Sequence, residues 1–212
     1  MTNYPNIEKD FINFKESIIQ LKIVNRKAPI DSDLFFQRLY KSFDSVMGFV
    51  HKKSAKEDIY KLLEKQFSSY VKSNPFYDKW VDDMSYVCKI FSDFLEEEKV
   101  SFWVGSKRGC KRYHVDMVPY RLLVTYSGQG TELLPDEAAN RNAFVEGSPN
   151  EKIIKEKSGL KFINKWDIAL FRGGHEGILH RTPDSAMNDR SSILMRLDNS
   201  AFLEDIQNMN DI

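Results

Sequence analysis

The chain has 212 residues, 42% of them hydrophobic and 13% aromatic, with 31 Lys+Arg against 31 Asp+Glu. That is enough apolar side chain for one good-sized domain, which excludes a disordered chain, and a net charge near zero excludes nucleic acid as an obligatory bulk-electrostatic partner. No run approaches the roughly 18 apolar residues of a membrane span, and Met1-Thr2-Asn3-Tyr4-Pro5-Asn6 has no basic segment ahead of an apolar one, so no signal peptide is expected. Only two cysteines occur, Cys88 and Cys110, in segments of different character, so a cytoplasmic location is expected rather than a disulfide framework.

The first hundred residues are predicted to be helical. Phe11, Phe14, Ile18, Ile19 and Leu21 form an apolar stripe at helical spacing, and Asp31 or Ser32 can cap a helix carrying Leu34, Phe35, Leu39, Phe43, Val46, Met47 and Val50. Ser54-Ala55-Lys56-Glu57 has the form of a capping box ahead of Ile59, Leu62, Leu63, Phe67 and Val71. Asn74-Pro75 reads as a cap followed by proline in the first turn of a long helix through Trp80, Met84, Val87, Cys88, Phe91 and Phe94. At Val100 the period changes to that of strands. Strands are predicted at 100–104, 110–117, 120–127, 131–134, 160–164, 167–172, 177–181 and 190–197, with turns between them, which suits a sandwich or jelly-roll barrel. The polar interruption at 136–158 reads as a surface helix or a lid over the barrel mouth. The expected organisation is α+β: a helical region over 1–99 and a β core over 100–212, with no Gly/Ser/Pro linker to divide them.

The chemistry concentrates in Tyr113-His114-Val115-Asp116 and in Ile178-Leu179-His180-Arg181-Thr182-Pro183. In a strand, residues i and i+2 point the same way, about 6.6 Å apart. His114 and Asp116 can therefore lean toward one metal ion, and a histidine from a remote strand can complete the set. Two imidazoles and a carboxylate on one face of an octahedron are how non-haem Fe(II) oxygenases hold iron, and zinc also accepts such a set. His175 is the rival second histidine, but Gly173-Gly174-His175-Glu176-Gly177 reads as a loop. If 190–197 is a strand, Arg190, Ser192, Leu194 and Arg196 share one face. An inward arginine with a hydroxyl two residues on suits a carboxylate, so Arg190 with Ser192 is the predicted clamp and Arg196 its rival. Arg121, which opens the strand after the metal pair, is a candidate for cosubstrate or substrate or equally for a structural ion pair, and Tyr126 further along the same strand is a candidate for substrate. Cys110 shares strand parity with His114 but would lie about 13 Å away along an extended strand, too far to ligate the same ion, so it is expected at the entrance.

His114-x-Asp116, His180 and then Arg190-x-Ser192 ten residues later resemble the signature of the Fe(II)/2-oxoglutarate-dependent dioxygenases. More narrowly, Cys110-x-x-x-His114-x-Asp116, the block from Arg121 to Pro135 with its Gly-x-Gly-Thr-Glu-Leu-Leu-Pro ending, and Gly177-x-x-His180-Arg181-Thr182-Pro183 are similar to a bacterial domain-of-unknown-function family, 1826. The resemblance implies a double-stranded β-helix (jelly-roll, cupin-like) fold with helices buttressing one sheet. It implies Fe(II) on His114, Asp116 and His180, and 2-oxoglutarate anchored by Arg190 and Ser192 or by Arg196. It further implies O2 as oxidant and hydroxylation of a small-molecule or peptide substrate. The gap between His180 and Arg190 is about one residue shorter than the superfamily's usual one. Halogenating relatives lack the carboxylate ligand, which Asp116 supplies here. Two other readings use the same ligands: a cupin-like metal-binding or sensing domain without turnover, and a divalent-metal hydrolase or isomerase. Thr131 and Glu132 belong to the family-like block without an evident physical role.

Overall fold

The computed structural model describes residues 7–40, 42–187 and 191–210, excepting the side chains of 207–210. Its helices are α1 (Ile7–Glu16), α2 (Ser32–Gln37), α3 (Ala55–Leu63), α4 (Ser69–Lys72), α5 (Pro75–Leu95), α6 (Arg141–Val145), α7 (Asn150–Ile153), α8 (Asp184–Met187) and α9 (Ser200–Asn210). Its strands are β1 (Leu21–Val24), β2 (Ser45–His51), β3 (Lys99–Gly105), β4 (Tyr120–Ser127), β5 (Glu132–Leu134), β6 (Lys161–Phe162), β7 (Ile168–Arg172), β8 (Leu179–Arg181) and β9 (Ile193–Asn199). No helix among the described residues is long and apolar enough to cross a membrane.

The helix α5 forms where its sequence directs. Asn74 Oδ1 accepts the Phe76 N–H at 2.8 Å, Pro75 occupies the first turn, and the helix stops at Glu96, whose φ of 61° is left-handed. Its buried stripe, Phe76, Trp80, Met84, Val87 and Phe91, joins one core with Leu122, Val124, Tyr126, Ile168, Leu170, Met195 and Leu197 of the large sheet. That sheet runs β1-β7-β4-β9-β3-β2, and every neighbouring pair is antiparallel. A second antiparallel sheet, β6-β5-β8, is lengthened by a single bridge between His114 and His180. From β3 onward the chain passes from sheet to sheet: β3 large, 113–115 small, β4 large, β5 and β6 small, β7 large, β8 small, β9 large.

The alternation of side chains along each strand separates two cores. While one face of the large sheet meets the helices, its other face presents Leu123, Ala169, Phe171 and Leu194 to Leu133 and Ile163. The outer face of the small sheet, with Tyr113, Leu134 and Leu179, is covered by Ala138, Ala139, Ala143 and Ile153. The 136–158 segment thus carries the short surface helices α6 and α7 over the small sheet, with Ala138, Ala139, Ala143 and Ile153 packed there.

Three expectations need correction. Residues 45–51 are not helix: Val46 and Val50 are spaced by four, which fits one face of a helix and one face of a strand equally, and pairing with β3 over seven residues decides for the strand. Residues 21–24 likewise become β1, on the opposite edge of the same sheet. The expected strand 110–117 is not formed. Only His114 bridges, and the rest of 106–119 is irregular chain between Gly105 and β4.

Candidate metal centre

His114 and His180 form a hydrogen-bonded antiparallel pair, with His114 N–H to His180 O at 3.1 Å and His180 N–H to His114 O at 3.0 Å. Side chains directly opposite in such a pair leave on the same face, and the ring centroids are 4.4 Å apart. Asp116, two residues on, points the same way. The ligand atoms of His114, Asp116 and His180 lie within 4.8 Å of one another, and among the described residues they form the one such group of three or more. His175 is exposed and takes no part.

Each ring is held by the same device. His114 Nδ1 lies 3.1 Å from the Arg112 carbonyl and His180 Nδ1 lies 3.0 Å from the Ile178 carbonyl. A carbonyl only accepts, so both Nδ1 atoms carry the proton and both Nε2 atoms keep a lone pair. Asp116 is fixed from two directions. Its Oδ1 accepts from Arg121 Nη1, while Arg121 Nε donates to Asp198 Oδ1 at 2.7 Å. Its backbone oxygen accepts the Gly174 N–H at 2.7 Å. Gly173 permits that approach, because a Cβ there would lie 1.9 Å from the Val118 oxygen.

One atom is left over. Asp116 Oδ2 is buried without a hydrogen-bond partner among the described residues, 3.4 Å from His180 Nε2. Burial, opposed by the Asp116 charge, takes the His180 pKa down to about 4, so the ring is neutral at ordinary pH. A carboxylate oxygen and an imidazole lone pair therefore face each other away from water, an arrangement that calls for a cation between them. The donor set of two imidazoles and one carboxylate suits a divalent transition metal.

The pocket in front of these residues encloses about 570 Å³, part of it open to solvent, with Trp103, Leu123 and Leu194 as apolar wall. Cys110 lines it and, contrary to the extended-strand expectation, lies beside the His114 ring, because the irregular chain folds the thiol back. The neighbouring His114 ring holds the thiol's pKa below its ordinary value. Burial would lower the His114 pKa, but the neighbouring Cys110 and the Arg112 carbonyl outweigh it and raise it.

The arginines divide by partner. Arg121 lines the pocket, but Asp116 and Asp198 take up its guanidinium, so it positions a candidate ligand rather than meeting substrate. Arg196 also lines the pocket; its Nε is 3.0 Å from Asp198 Oδ2, without hydrogen-bond alignment, and its guanidinium lies over the rings of Trp103 and Phe202. Arg190 lies outside the described residues. Ser192 is fully buried, its hydroxyl without a partner among the described residues, and it does not line the pocket. It lies instead against the Gly128 turn, next to the irregular register between Thr125 and Ser127, where a Cβ on Gly128 would come 2.7 Å from the Ser192 Cβ. Tyr126 is corrected outright. It is fully buried on the helix side of β4, donating to Asp83 Oδ2 at 2.8 Å, beside the two-pronged Arg26–Asp83 pair.

Sequence reasoning missed three supports. Glu132 is buried and accepts from Tyr113 and, at 2.9 and 3.1 Å, from Arg181, tying β5 to β8 and to the His114 segment. Thr131 Oγ1 accepts from Arg108 at 3.0 Å. Arg108 itself lines the pocket; its only signal was a basic residue in a Gly-flanked turn ahead of His-x-Asp.

No curated protein matches the chain. Among solved structures, it is similar to a bsmA homologue from Methylobium petroleophilum PM1, at 9% identity and a TM-score of 0.44, covering 91% of this chain and 92% of that one. It is also similar to an N-substituted L-amino acid dioxygenase from Burkholderia ambifaria AMMD, at 11% identity and a TM-score of 0.41, covering 90% and 86%. The family described as "Protein of unknown function (DUF1826)" matches residues 8–198, and the chain belongs to it.

Proposed function

We propose that this chain is a non-haem Fe(II)- and 2-oxoglutarate-dependent oxygenase that hydroxylates a small molecule or peptide, built on a double-stranded β-helix. The fold assignment is supported by the passage of successive strands between two antiparallel sheets whose apolar faces meet. The observation that carries the metal is the unpartnered Asp116 Oδ2 facing the bare Nε2 of a neutral His180. His114, Asp116 and His180 would hold the ion on one face and leave its other positions to a chelating 2-oxo acid and to dioxygen. When bound, iron and cosubstrate supply the oxidative chemistry, in which 2-oxoglutarate is decarboxylated to succinate.

The chain's own residues orient and exclude. The Arg112 and Ile178 carbonyls fix the imidazole tautomers, Arg121 holds the Asp116 carboxylate, and Trp103, Leu123 and Leu194 keep water from one wall. Arg196 offers a guanidinium to a cosubstrate carboxylate, and Arg190 is the alternative.

The test is anaerobic addition of Fe(II) and 2-oxoglutarate to the full chain. A weak visible charge-transfer band that is absent in His180→Ala, and succinate formed only with iron and oxygen, are the expected results. Metal uptake with no response to 2-oxoglutarate would overturn the oxygenase reading in favour of a metal-binding domain or a hydrolase on the same three residues.

A further inference from the structure

Among the described residues, every basic side chain lining the pocket but one has a carboxylate within 4 Å. Lys107 reaches Asp44 at 3.9 Å, Arg121 bridges Asp116 and Asp198, Arg181 holds Glu132 at 2.9 Å, and Arg196 lies 3.0 Å from Asp198. Arg108 has no carboxylate partner among the described residues. Its Nη1 donates to the Gln129 carbonyl and its Nη2 to Thr131 Oγ1, both at 3.0 Å, and both acceptors are neutral. Its Nε is shielded from solvent and unpartnered. A guanidinium has five N–H donors, so most of its capacity is unused. Burial takes its pKa down to about 10, which still leaves it protonated at neutral pH.

A half-buried cation without a counter-ion gains from an anion that arrives to meet it. Gln129 and Thr131 grip the group from the turn between β4 and β5, which fixes the plane of the fork before any ligand binds. That turn follows the Ser127–Ile193 end of the β4–β9 ladder, whereas the Arg121–Asp198 pair marks its other end. The pocket therefore carries guanidinium groups toward both ends, and only this one lacks a carboxylate partner. We propose that Arg108 anchors a carboxylate carried by the organic acid that occupies the pocket. Among the described residues no second cation lacking a carboxylate partner lines the pocket, which suits a monoanionic carboxylate better than a phosphate dianion. Two sources share this chemistry: the far carboxylate of 2-oxoglutarate, and a carboxylate on the substrate. Only the first rests on the oxygenase reading.

The experiment is NMR of arginine Nε–H signals in the ¹⁵N-labelled full chain, with the Arg108 resonance assigned by its loss in Arg108→Lys. Formate is the minimal carboxylate probe, and chloride at equal ionic strength is the control. The expected result is a saturable shift of the Arg108 signal with formate but not with chloride. If 2-oxoglutarate displaces formate and pyruvate does not, the far carboxylate of the cosubstrate is the occupant, and Arg108→Gln should weaken 2-oxoglutarate binding by about tenfold or more while sparing pyruvate. If formate still shifts the signal with 2-oxoglutarate bound, the occupant is a substrate carboxylate. A signal unmoved by both formate and 2-oxoglutarate overturns the proposal. Cobalt(II) absorption, followed in the same preparation, keeps the two readings apart. Cobalt uptake with an unresponsive Arg108 sinks only this inference, whereas a formate response without cobalt uptake sinks only the oxygenase reading.

Discussion

His180 Nε2 and Asp116 Oδ2 stand 3.4 Å apart with no hydrogen bond between them. A divalent ion would replace that repulsion with two coordinate bonds, and it would do so only in the folded chain. Binding at 100 times the dissociation constant should therefore stabilise the protein by about 2.7 kcal/mol. Thermal unfolding with cobalt(II) or zinc, then with chelator, checks this. The shift should appear, reverse on chelation, and be absent in His180→Ala. A shift of equal size in that variant would place the ion elsewhere.

Among the described residues Arg121 is the only arginine touching both Asp116 and Asp198, and all three side chains are largely shielded from water. Arg121→Met strands the buried Asp116 carboxylate and leaves Asp198 with Arg196 alone, and breaking such a pair typically costs about 3–5 kcal/mol. Because Asp116 also loses its orienting donor, metal affinity should fall by about 10–100-fold. Denaturant unfolding reads the first effect and cobalt titration the second. Loss of stability with undiminished metal affinity would show that Arg121 does not position Asp116.

The turn into α3 offers a test on the far side of the large sheet. Ser54-x-x-Glu57 has the form of a capping box, yet the Ser54 hydroxyl donates instead to Asp58 Oδ2 at 3.1 Å, and no side-chain cap forms at Ser54. Asp58 also accepts the His51 N–H at 2.9 Å and lies 2.8 Å from its ring nitrogen. Burial pushes the Asp58 carboxyl up, but these hydrogen bonds together hold it below the ordinary value. With the folded pKa depressed, the stabilisation is complete above the ordinary carboxylate range and is lost as pH falls through the lowered value. Asp58→Ala should cost about 1–2 kcal/mol at neutral pH and less in acid. Glu57→Gln should change little. Chemical denaturation of both variants at two pH values decides between the two carboxylates.

What could be read in the sequence, and what could not, follows from how local each signal is. The cap and first turn of α5 lie within three residues, Asn74 to Phe76, and formed as written. The strands β3, β4, β7 and β8 also stand where the alternation of side chains put them, and β9 begins three residues inside its predicted range. Between Val46 and Val50 the pattern fits two periods, and only the partner strand β3 resolves it, which is information from residues 99–105. The meeting of His114 with His180 was inferred from residue type. Its cause, the backbone pair joining 114 to 180, is a long-range bond that no local pattern encodes. Cys110 was misplaced for the same reason: the distance to His114 followed from a strand that does not form. Arg108 went unnoticed because a basic residue in a turn is ordinary, and only its surroundings make it unusual.

Tyr126 shows how strand parity corrects a site assignment. It shares a face with Leu122 and Val124, toward α5, and its hydroxyl meets Asp83. Tyr126→Phe should cost about 1–2 kcal/mol, since it removes one hydrogen bond to a buried carboxylate. It should leave cobalt affinity and 2-oxoglutarate binding unchanged. A variant of wild-type stability that bound 2-oxoglutarate several-fold more weakly would return Tyr126 to the pocket.

The remaining choice concerns which arginine of the last strand region holds the cosubstrate. Arg196 faces the pocket from β9, paired in register with Leu123, and lies against Trp103 and Phe202. Its ion pair with Asp198 is shared with Arg121, so Asp198 cannot fully neutralise both, and burial lowers the Arg196 pKa ahead of the opposing Asp198 charge. That leaves Arg196 able to gain from an incoming carboxylate. Charge-assisted hydrogen bonds are worth about 1.5–3 kcal/mol, so Arg196→Met should weaken 2-oxoglutarate binding by about 10–150-fold while metal affinity stays within a few-fold. Arg190→Met is the matched control. Calorimetric titration of 2-oxoglutarate into each cobalt-loaded variant gives the answer: a loss confined to Arg196→Met assigns the clamp to β9, and a loss confined to Arg190→Met assigns it to the residue named by the sequence signature.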